Sequence, residues 1–324
     1  MRAAVIHATG GVENIRIERI PLPQAGPGEV LVRLEASGLN HVDLFVRSGA
    51  YATPLPFPFV IGRDLVGSVV RTGEGVGGFA AGDRVWSNSL GHADRQGAWS
   101  EYVAVEAARL YPLPAGVDAR RAAAVLHAGA TAWLGLFRHA GLSAGQLVLV
   151  EGGAGAVGSA VVQMAHAAGA RVIATAAADD AAWCRGCGAD AVLDYRRTDL
   201  PQAVHALAPD GIDLWWDCSG RNDFATRLPL LRLGGAVVLM SGLRGKDPLL
   251  PVAALYTRDI TLHGFAISNA AVDELVGAAQ AINRLLADGR LEGRIAAVYP
   301  LERAAAAHRA LAQGGLHGRI VLVP

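Results

Sequence analysis

The spacing of three glycines is the first feature of the sequence that indicates a chemical function. The run Gly153-Ala154-Gly155-Ala156-Val157-Gly158 follows the apolar segment Leu147 to Val150 and precedes a helical pattern. In such a run the first glycine permits a tight turn, the second lets a pyrophosphate approach the backbone, and the third lets helix and strand pack closely. The N-terminus of the helix attracts phosphates. The run therefore predicts a dinucleotide site at Gly153, Gly155, Ala156, Val157 and Gly158, with a tight turn alone as the alternative.

The end of the next strand bears on which dinucleotide is bound. Where NAD is preferred, an acidic residue there holds the ribose hydroxyls, whereas here the strand ends Thr175-Ala176. The pair Asp179-Asp180 comes later and suits the start of the following helix. After the third strand, the run Tyr195-Arg196-Arg197 offers cations for a 2′-phosphate. We therefore predict NADPH, with NADH as the alternative, and include Thr175, Tyr195 and Arg196 in the cofactor site.

Charge and composition limit the partners of the chain. The 324 residues carry 29 basic and 29 acidic side chains, so no surplus positive field exists for nucleic acid or an anionic membrane. The sequence contains no run of about 18 apolar residues, which argues against a membrane-spanning helix. Three cysteines are too few for a disulfide framework and indicate a reducing compartment, the cytoplasm. We expect a small-molecule substrate as the partner, without nucleic acid or membrane.

Two patterns of elements must hold these residues in place. Up to about residue 110, short strands broken by glycine and proline predict an irregular β-barrel, with one long strand over Phe59 to Thr72. After Ala119, apolar strands alternate with helices, one of them over Asn222 to Arg232, which predicts a parallel sheet covered on both faces. The chain is therefore predicted to be an α/β protein of two domains.

Further motifs extend over essentially the whole chain. They are Asn40, Asp43, Arg47, Gly49 and Tyr51, then Gly62, Asp64 and Gly67, then the segments AAGDRV and GAWSEY, and the ending AHRALAQGGLHGRIVLVP. With the glycine run, they resemble the zinc-independent quinone oxidoreductases of the medium-chain dehydrogenase/reductase superfamily. The resemblance implies a GroES-like irregular β-barrel catalytic domain from residues 1–119 and 265–324. It implies a Rossmann domain, with a doubly wound parallel sheet, from residues 120–264.

Zinc-dependent alcohol dehydrogenases of the same superfamily are also similar, so their ligand positions can be compared one by one. Their catalytic cysteine aligns with Asn40, the histidine and glutamate of their GHE motif with Arg63 and Asp64, and their second cysteine with His127. A catalytic zinc needs three protein ligands, and Arg63 would repel the cation. The four-cysteine structural lobe is absent too, because no cysteine precedes Cys184. We therefore predict no metal.

The resemblance also assigns residues to the cofactor. It implies that the nicotinamide and pyrophosphate side of the cofactor is lined by His41, Val42, Asp43 and Phe45. It also implies that Thr131 lies at the ribose or phosphate of the cofactor. It implies cofactor contacts for Ser241, Gly242 and Leu243, which follow the strand Ala236 to Met240, and it places Gly264 and Phe265 near the nicotinamide edge. Arg319 occupies the place where relatives often carry lysine.

These features together predict hydride transfer from NADPH to a quinone or an α,β-unsaturated carbonyl. Conjugation in such acceptors delocalises the negative charge that builds on oxygen, so they depend less on a Lewis acid. Asn40 and Tyr51 are candidates to hydrogen-bond the carbonyl, and Tyr51 or His127 to deliver the proton, although each could serve packing or turn geometry instead. The alternatives are an enoyl or enone double-bond reductase and a non-catalytic NADPH-binding protein. We expect a homodimer through residues 236–265, because exposed edge strands of such sheets pair.

Overall fold

The computed structural model describes residues 1–243 and 247–324. Its strands over these residues are β1 Arg2–Ile6, β2 Arg16–Arg19, β3 Glu29–Gly38, β4 Phe59–Val60, β5 Leu65–Thr72, β6 Arg84–Ser87, β7 Tyr102–Glu106, β8 Tyr111–Pro112, β9 Leu147–Glu151, β10 Arg171–Ala176, β11 Ala191–Asp194, β12 Ile212–Asp217, β13 Leu231–Leu239, β14 Thr261–Gly264, β15 Ile295–Pro300 and β16 Arg319–Val323. Its α-helices are α1 His41–Ser48, α2 Ala119–Ala123, α3 Leu126–Trp133, α4 Ala156–Ala167, α5 Ala181–Gly186, α6 Leu200–Leu207, α7 Phe224–Arg227, α8 Val252–Tyr256, α9 Val272–Ala287 and α10 Ala304–Gln313.

The chain divides into two compact units. The split unit consists of Met1–Ala130 and Ala270–Pro324, and the inserted unit consists of Thr131–Asn269. The predicted domain boundaries lie earlier, after residues 119 and 264. The first boundary of the compact units lies within α3, after α2, which packs with β3 and β5 of the split unit.

The split unit is built on two β-sheets. The larger has the strand order β15-β16-β3-β5-β6-β8, with β7 also paired to β3, and the smaller has the order β2-β1-β4. Apolar side chains from both sheets form one core, in which Ile6, Val32, Phe59 and Trp99 are at most 1% exposed. Each large apolar side chain buried in this way contributes about 1.5–3 kcal/mol to stability. The predicted irregular β-barrel is confirmed.

The predicted long strand over Phe59 to Thr72 is wrong, because the backbone leaves the ladder between β4 and β5. Gly62 has a φ of +99°, and a Cβ there would overlap the ring of Trp99. The break turns the next two side chains into the interior, where Arg63 is 2% exposed and Asp64 is fully buried. A turn that only glycine adopts without strain therefore places two charged groups inside the unit.

The inserted unit contains a six-stranded parallel sheet with the order β11-β10-β9-β12-β13-β14. This is the doubly wound arrangement that the alternation of strands and helices predicts, so the predicted fold class is confirmed. Strand β9 is buried along its whole length, as a central strand covered on both faces should be. The strand order reverses between β9 and β12, and ligands of such sheets bind at the carboxyl ends of strands beside that point.

One predicted helix of the inserted unit is wrong. The segment Asn222 to Arg232 forms only the short helix α7, followed by the 3-10 turn Leu228–Leu230 and by β13, which begins at Leu231. Pro229 explains the difference, because proline lacks an N–H and cannot continue a helix. Among the described residues, no helix combines the length and apolarity that crossing a bilayer demands.

Candidate functional site

Asn40 stands where β3 turns into helix α1. The carboxylate of Asp43 accepts the backbone N–H of Asn40 at 2.7 Å, which closes the start of the helix. The side chain of Asn40 is 2% exposed and points into the split unit. There its Nδ2 donates to Asp64 Oδ2 at 3.0 Å, and its Oδ1 accepts from Arg319 Nη2 at 2.6 Å. The amide therefore bridges a buried acid and a buried base.

Four distant parts of the sequence meet around this amide. Strand β16 pairs with β3 and brings in Arg319, whose Nη2 lies 3.7 Å from Asp64 Oδ2. Helix α3 brings in His127, whose Nδ1 lies 3.6 Å from Asp64 Oδ1. Gly38 leaves room for the group, since a Cβ there would come within 2.9 Å of Asp64 Oδ2 and 3.2 Å of Arg319 Nη2. We call Asn40, Arg63, Asp64, His127 and Arg319 the buried cluster.

Burial changes the protonation of the buried cluster. It raises the pKa of Asp64 to about 8, although Arg319 and the hydrogen bond from Asn40 act in the opposite direction. It lowers the pKa of His127 to about 3, with Arg63 and Arg319 adding to the effect. At neutral pH the imidazole of His127 is therefore neutral, and the carboxyl of Asp64 carries the proton for most of the time.

Tyr51 lies beside the buried cluster. The Cζ of Arg63 is 6.0 Å from the centre of the Tyr51 ring, and the ring centres of Tyr51 and His92 are 5.9 Å apart. The split unit thus brings together the three predicted catalytic residues, Asn40, Tyr51 and His127, in the company of two arginines. The sequence identifies Arg63 at a lost zinc position, but no local motif shows that its guanidinium is buried.

The donor set of the buried cluster does not fit zinc. Of the four positions that align with ligands, Asn40 holds the amide bridge, Arg63 contributes a cation, and only Asp64 and His127 are ordinary ligand types. Over residues 1–243 and 247–324, no group of three or more histidine, cysteine, aspartate or glutamate side chains is arranged to hold a metal ion. We therefore assign no step of the reaction to a metal ion.

The glycine loop, residues 152–158 of the inserted unit, connects β9 to α4. A Cβ on Gly158 would overlap the carbonyl oxygen of Gly152, and one on Gly153 would come within 2.8 Å of the Ala174 Cβ. Gly155 is the N-cap of α4 and has no side chain to satisfy the first amides of the helix. Those amides and the helix dipole suit a phosphate, so the loop fits the pyrophosphate of a dinucleotide.

An aromatic ring between two arginines follows the carboxyl end of β11. The Cζ atoms of Arg196 and Arg221 each lie 5.2 Å from the centre of the Tyr195 ring. Arg197 is engaged elsewhere, since its Nε and Nη2 donate to the carboxylate of Asp199 at 2.9 and 2.8 Å. Sequence reasoning missed Arg221. The available signal was its position just after Gly220 and β12, at the same edge of the sheet.

The other predicted cofactor residues of the split unit lie at α1. His41 is exposed, and Val42 and Phe45 are half-buried. Asp43 is 3% exposed and caps the helix, and burial raises its pKa to about 6. Of these residues, Asp43 has the clearest task inside the protein.

The other predicted residues of the inserted unit lie in or just after β10, β13 and β14, or begin the unit. Thr175 is 1% exposed and accepts the N–H of Gly152 at 3.2 Å, so it shapes the glycine loop. Ser241 accepts a hydrogen bond from Asn222 Nδ2 at 3.2 Å, and Phe265 stacks on His139 with ring centres 4.7 Å apart. Thr131 is buried, whereas Gly242, Leu243 and Gly264 are exposed.

Two family models match the chain. The alcohol dehydrogenase GroES-like domain matches residues 26–115, and the zinc-binding dehydrogenase model matches residues 156–284. The first match lies in the split unit and includes Asn40, Arg63 and Asp64. The second begins at the end of the glycine loop.

Relatives and solved structures cover the whole length. The mouse synaptic vesicle membrane protein VAT-1 homolog is 32% identical over 100% of this chain and 84% of that protein, and rat quinone oxidoreductase is 30% identical over 95% and 92%. An NAD-dependent alcohol dehydrogenase superposes with a TM-score of 0.92 at 34% identity, with 100% of both chains covered. A mycobacterial protein complexed with NADPH superposes with a TM-score of 0.88 at 31% identity, also over 100% of both chains.

Proposed function

The chain belongs to the medium-chain dehydrogenase/reductase superfamily, as a member of its quinone oxidoreductase family, and from this premise we propose a zinc-independent transfer of hydride from NADPH to a quinone or an α,β-unsaturated carbonyl. The observation that carries the proposal is the buried cluster, in which an amide, an arginine, a protonated carboxyl and a neutral imidazole stand at the positions that align with zinc ligands, with Arg319 bound to the amide. Hydrogen bonds and a cationic field can stabilise the oxygen of a conjugated acceptor, which spreads its negative charge.

Each residue near the buried cluster has a separate task in this proposal. Tyr51 donates a hydrogen bond and then a proton to the reduced oxygen. Asn40 is a positioning residue, because its amide hydrogens are directed to Asp64 and to the Gly38 carbonyl at 3.0 and 3.4 Å. His127 is neutral at physiological pH, so it does not act as a cationic acid. It takes up the proton of Asp64 on one ring nitrogen and gives up that of the other, to restore the Tyr51 phenolate after Tyr51 has protonated the substrate.

Residues of the inserted unit support NADPH as the hydride source. The glycine loop accepts the pyrophosphate, and the stack of Arg196, Tyr195 and Arg221 supplies two cations for a 2′-phosphate. No carboxylate ends β10, since its last residue is Ala176, so the acid that would hold the ribose hydroxyls and repel a 2′-phosphate is missing from that strand end. The solved relative complexed with NADPH is consistent with this choice.

Two further features of the proposal concern assembly and compartment. Strand β14 is the last of its sheet, and Leu249 and Tyr256, which precede it in the sequence, are 92% and 69% exposed. An edge strand and exposed apolar side chains both favour association with a second copy, so we propose a homodimer. The cysteines Cys184, Cys187 and Cys218 are free thiols, which supports a reducing compartment such as the cytoplasm.

A substrate panel tests the proposal. Purified protein is incubated with NADPH or NADH and with 1,4-naphthoquinone, 4-phenyl-3-buten-2-one or, in the reverse direction, ethanol, before and after dialysis against a zinc chelator. We expect oxidation of NADPH with the quinone or the enone, unchanged by the chelator, and no oxidation of ethanol. Product analysis separates carbonyl from double-bond reduction. One tightly bound zinc per chain, whose removal abolishes turnover, would overturn the proposal, and so would cofactor binding without turnover of any acceptor.

A further inference from the structure

The buried cluster contains a cation whose hydrogen-bonding capacity is unused. Arg63 is 2% exposed, and its Nε and Nη2 find no hydrogen-bond partner in the part of the chain that the structure describes. These two nitrogens form one edge of the planar guanidinium, an edge that pairs with both oxygens of a carboxylate. Buried charges are normally paired, because an unpaired one is costly. The free edge of Arg63 therefore indicates an anion from outside the chain.

The carboxylates near Arg63 are engaged with other groups. Asp43 accepts the backbone N–H of Asn40 at 2.7 Å. Asp64 accepts from Asn40 Nδ2 at 3.0 Å and faces Arg319 at 3.7 Å. Asp43 attracts Arg63 through space, but neither acid hydrogen-bonds the free edge of its guanidinium.

Two more arginines approach the same region from elsewhere in the split unit. Arg95 Nε donates to the carbonyl of Ser89 at 3.3 Å, and Arg109 Nη1 lies 3.5 Å from the Ser89 hydroxyl. Glu106 lies beside them and pairs with Arg109 at 2.8 Å. One of these two cations therefore has a carboxylate partner, and Arg95 adds a surplus positive charge.

The pKa of His92 is lowered to about 4 by burial and in part by the positive charges of Arg63, Arg95 and Arg109. The imidazole is therefore neutral, and the positive charge near Tyr51 comes from the guanidiniums. An anionic ligand would meet an attractive field on approach to Tyr51.

The loop of residues 88–97 joins these groups, and its backbone is strained. Ala93 and Asp94 have φ values of +50° and +62°, which non-glycine residues rarely adopt. Their N–H groups are bound to Thr53 Oγ1 at 3.0 Å and to the Pro54 carbonyl at 3.2 Å. Strain of this kind is concentrated at ligand sites and in segments that switch between two arrangements.

We propose that the substrate carries a carboxylate a few bonds from its conjugated carbonyl, and that the free edge of Arg63 binds this carboxylate. The proposal deepens the function above and rests on it for the chemistry of the carbonyl. Tyr51 sets the spacing, because the Arg63 Cζ lies 6.0 Å from its ring. Both nitrogens of the edge are buried, so binding of the carboxylate requires a local movement that uncovers them. The favoured class is a 4-oxo-2-enoate or a quinone carboxylate.

A matched pair of substrates tests the proposal. trans-3-Benzoylacrylate and its methyl ester share the conjugated carbonyl and differ in charge. We expect kcat/KM with NADPH to be about 10- to 100-fold higher for the acid, the range of a charge-assisted hydrogen bond. In Arg63→Met this ratio should fall to near one, in Arg63→Lys part of it should return, and the control Arg33→Met, exposed on β3, should keep the native ratio. Equal rates for acid and ester, or a native ratio in Arg63→Met, overturn the proposal.

A binding measurement separates this proposal from the proposed function. 3-Benzoylpropionate has the same carboxylate and no double bond to reduce, so calorimetry can follow its binding without turnover. We expect binding by the native protein and by Arg33→Met, and at least about tenfold weaker binding by Arg63→Met. If no acceptor is reduced by NADPH, the proposed function fails, and this titration still decides on the carboxylate. Circular dichroism confirms that each variant is folded, and Arg63→Lys replaces Arg63→Met if that variant is not.

Discussion

The glycine loop and the buried cluster, one in each unit, prepare for negative charge in opposite ways. The glycine loop uses backbone amides at the start of α4 and keeps side chains out of the way, so that a Cβ on Gly158 would overlap the Gly152 carbonyl. The buried cluster uses whole charges, with Arg63 and Arg319 at 2% and 7% exposure. Amide dipoles are already part of the helix, whereas buried guanidiniums must be desolvated.

The two sites therefore differ in the ligand that each can recognise specifically. A backbone site recognises phosphate geometry and does not distinguish the acceptor that the cofactor will reduce, which suits a cofactor shared by many enzymes. A side-chain site sets charge, proton position and shape independently, through Asn40, Asp64 and Tyr51 among others, which suits one substrate class. We expect substitutions in the split unit to alter turnover and titration, and substitutions in the inserted unit to alter cofactor use.

The largest effect should come from the proposed proton donor. Tyr51→Phe keeps the ring beside Arg63 and removes only the hydroxyl, so kcat should fall about 100- to 10,000-fold, the range of general-acid catalysis. The affinity for NADPH should change little. Steady-state kinetics with a quinone and a fluorescence titration with NADPH measure the two effects.

Tyr111→Phe is the matched control, since Tyr111 is a buried tyrosine of the same unit and packs on Trp86 with ring centres 4.6 Å apart. Its kcat should stay within a fewfold of the native value. A loss below about fivefold in Tyr51→Phe and in the double variant with His127→Ala would transfer proton delivery to solvent and break the proposed division between the units.

Two alanine substitutions in the glycine loop separate packing from cofactor approach. Gly158→Ala should destabilise the protein by about 1–3 kcal/mol, as overpacking does, and lower its Tm. Gly155→Ala should lower the Tm less, because its Cβ would lie 3.3 Å from the Gly152 oxygen, whereas that of Gly158 would overlap this oxygen. It should still lower kcat/KM for NADPH about 100-fold by displacing the pyrophosphate.

The control for both is Gly186→Ala in α5, where a Cβ would meet nothing within 4 Å. Thermal melts and cofactor kinetics should both be native for this variant. If Gly155→Ala binds and uses NADPH normally, the pyrophosphate does not approach the backbone there. The glycine loop would then not recognise the cofactor through its backbone amides.

The stack of Arg196, Tyr195 and Arg221 is a side-chain site inside the inserted unit, so it tests the contrast between backbone and side-chain recognition. Arg221→Met should lower the preference for NADPH over NADH about tenfold, the value of one charge-assisted hydrogen bond. Arg197→Met should change it little, since Arg197 is paired with Asp199. The ratio of kcat/KM for the two cofactors measures both variants. A larger loss in Arg197→Met, or native use of NADH as good as that of NADPH, would contradict this assignment.

The same division explains how much of the molecule could be predicted. The parallel sheet and glycine loop are local patterns, so β10, α6 and β12 have the bounds that apolar periodicity indicates. The buried cluster joins residues from β3, the break after β4, α3 and β16, and no local pattern encodes that meeting. The resemblance to a known family identifies the residues of the buried cluster from the sequence. Their hydrogen bonds and the engagement of Arg197 by Asp199 depend on tertiary contacts and could not be predicted.

The smallest predicted effect is a change of stability with pH that the buried cluster should cause. The pKa of Asp64 is raised to about 8 in the folded chain from an ordinary value of 3.8. A group with a raised folded pKa stabilises the fold at low pH, and this contribution is lost as the pH rises through the folded pKa. The window from pH 7 to 8.5 belongs mainly to Asp64, because the raised pKa of Asp43 is about 6 and the lowered pKa values of His127 and His308 are about 3.

Urea unfolding at pH 7.0 and 8.5 should therefore show a loss of about 1 kcal/mol in the free energy of unfolding of the native protein, the value of one proton titrating near pH 8. Asp64→Asn cannot ionise and keeps the shape of the side chain, so its stability should be nearly flat over the same range. Asp213→Asn, at the partly exposed partner of Arg232 in the inserted unit, should retain the native loss because it leaves Asp64 unchanged. A native protein equally stable at both pH values would mean that Arg319 keeps Asp64 ionised. In that case the buried cluster would hold a charge pair, and Tyr51 would have to draw its proton from solvent.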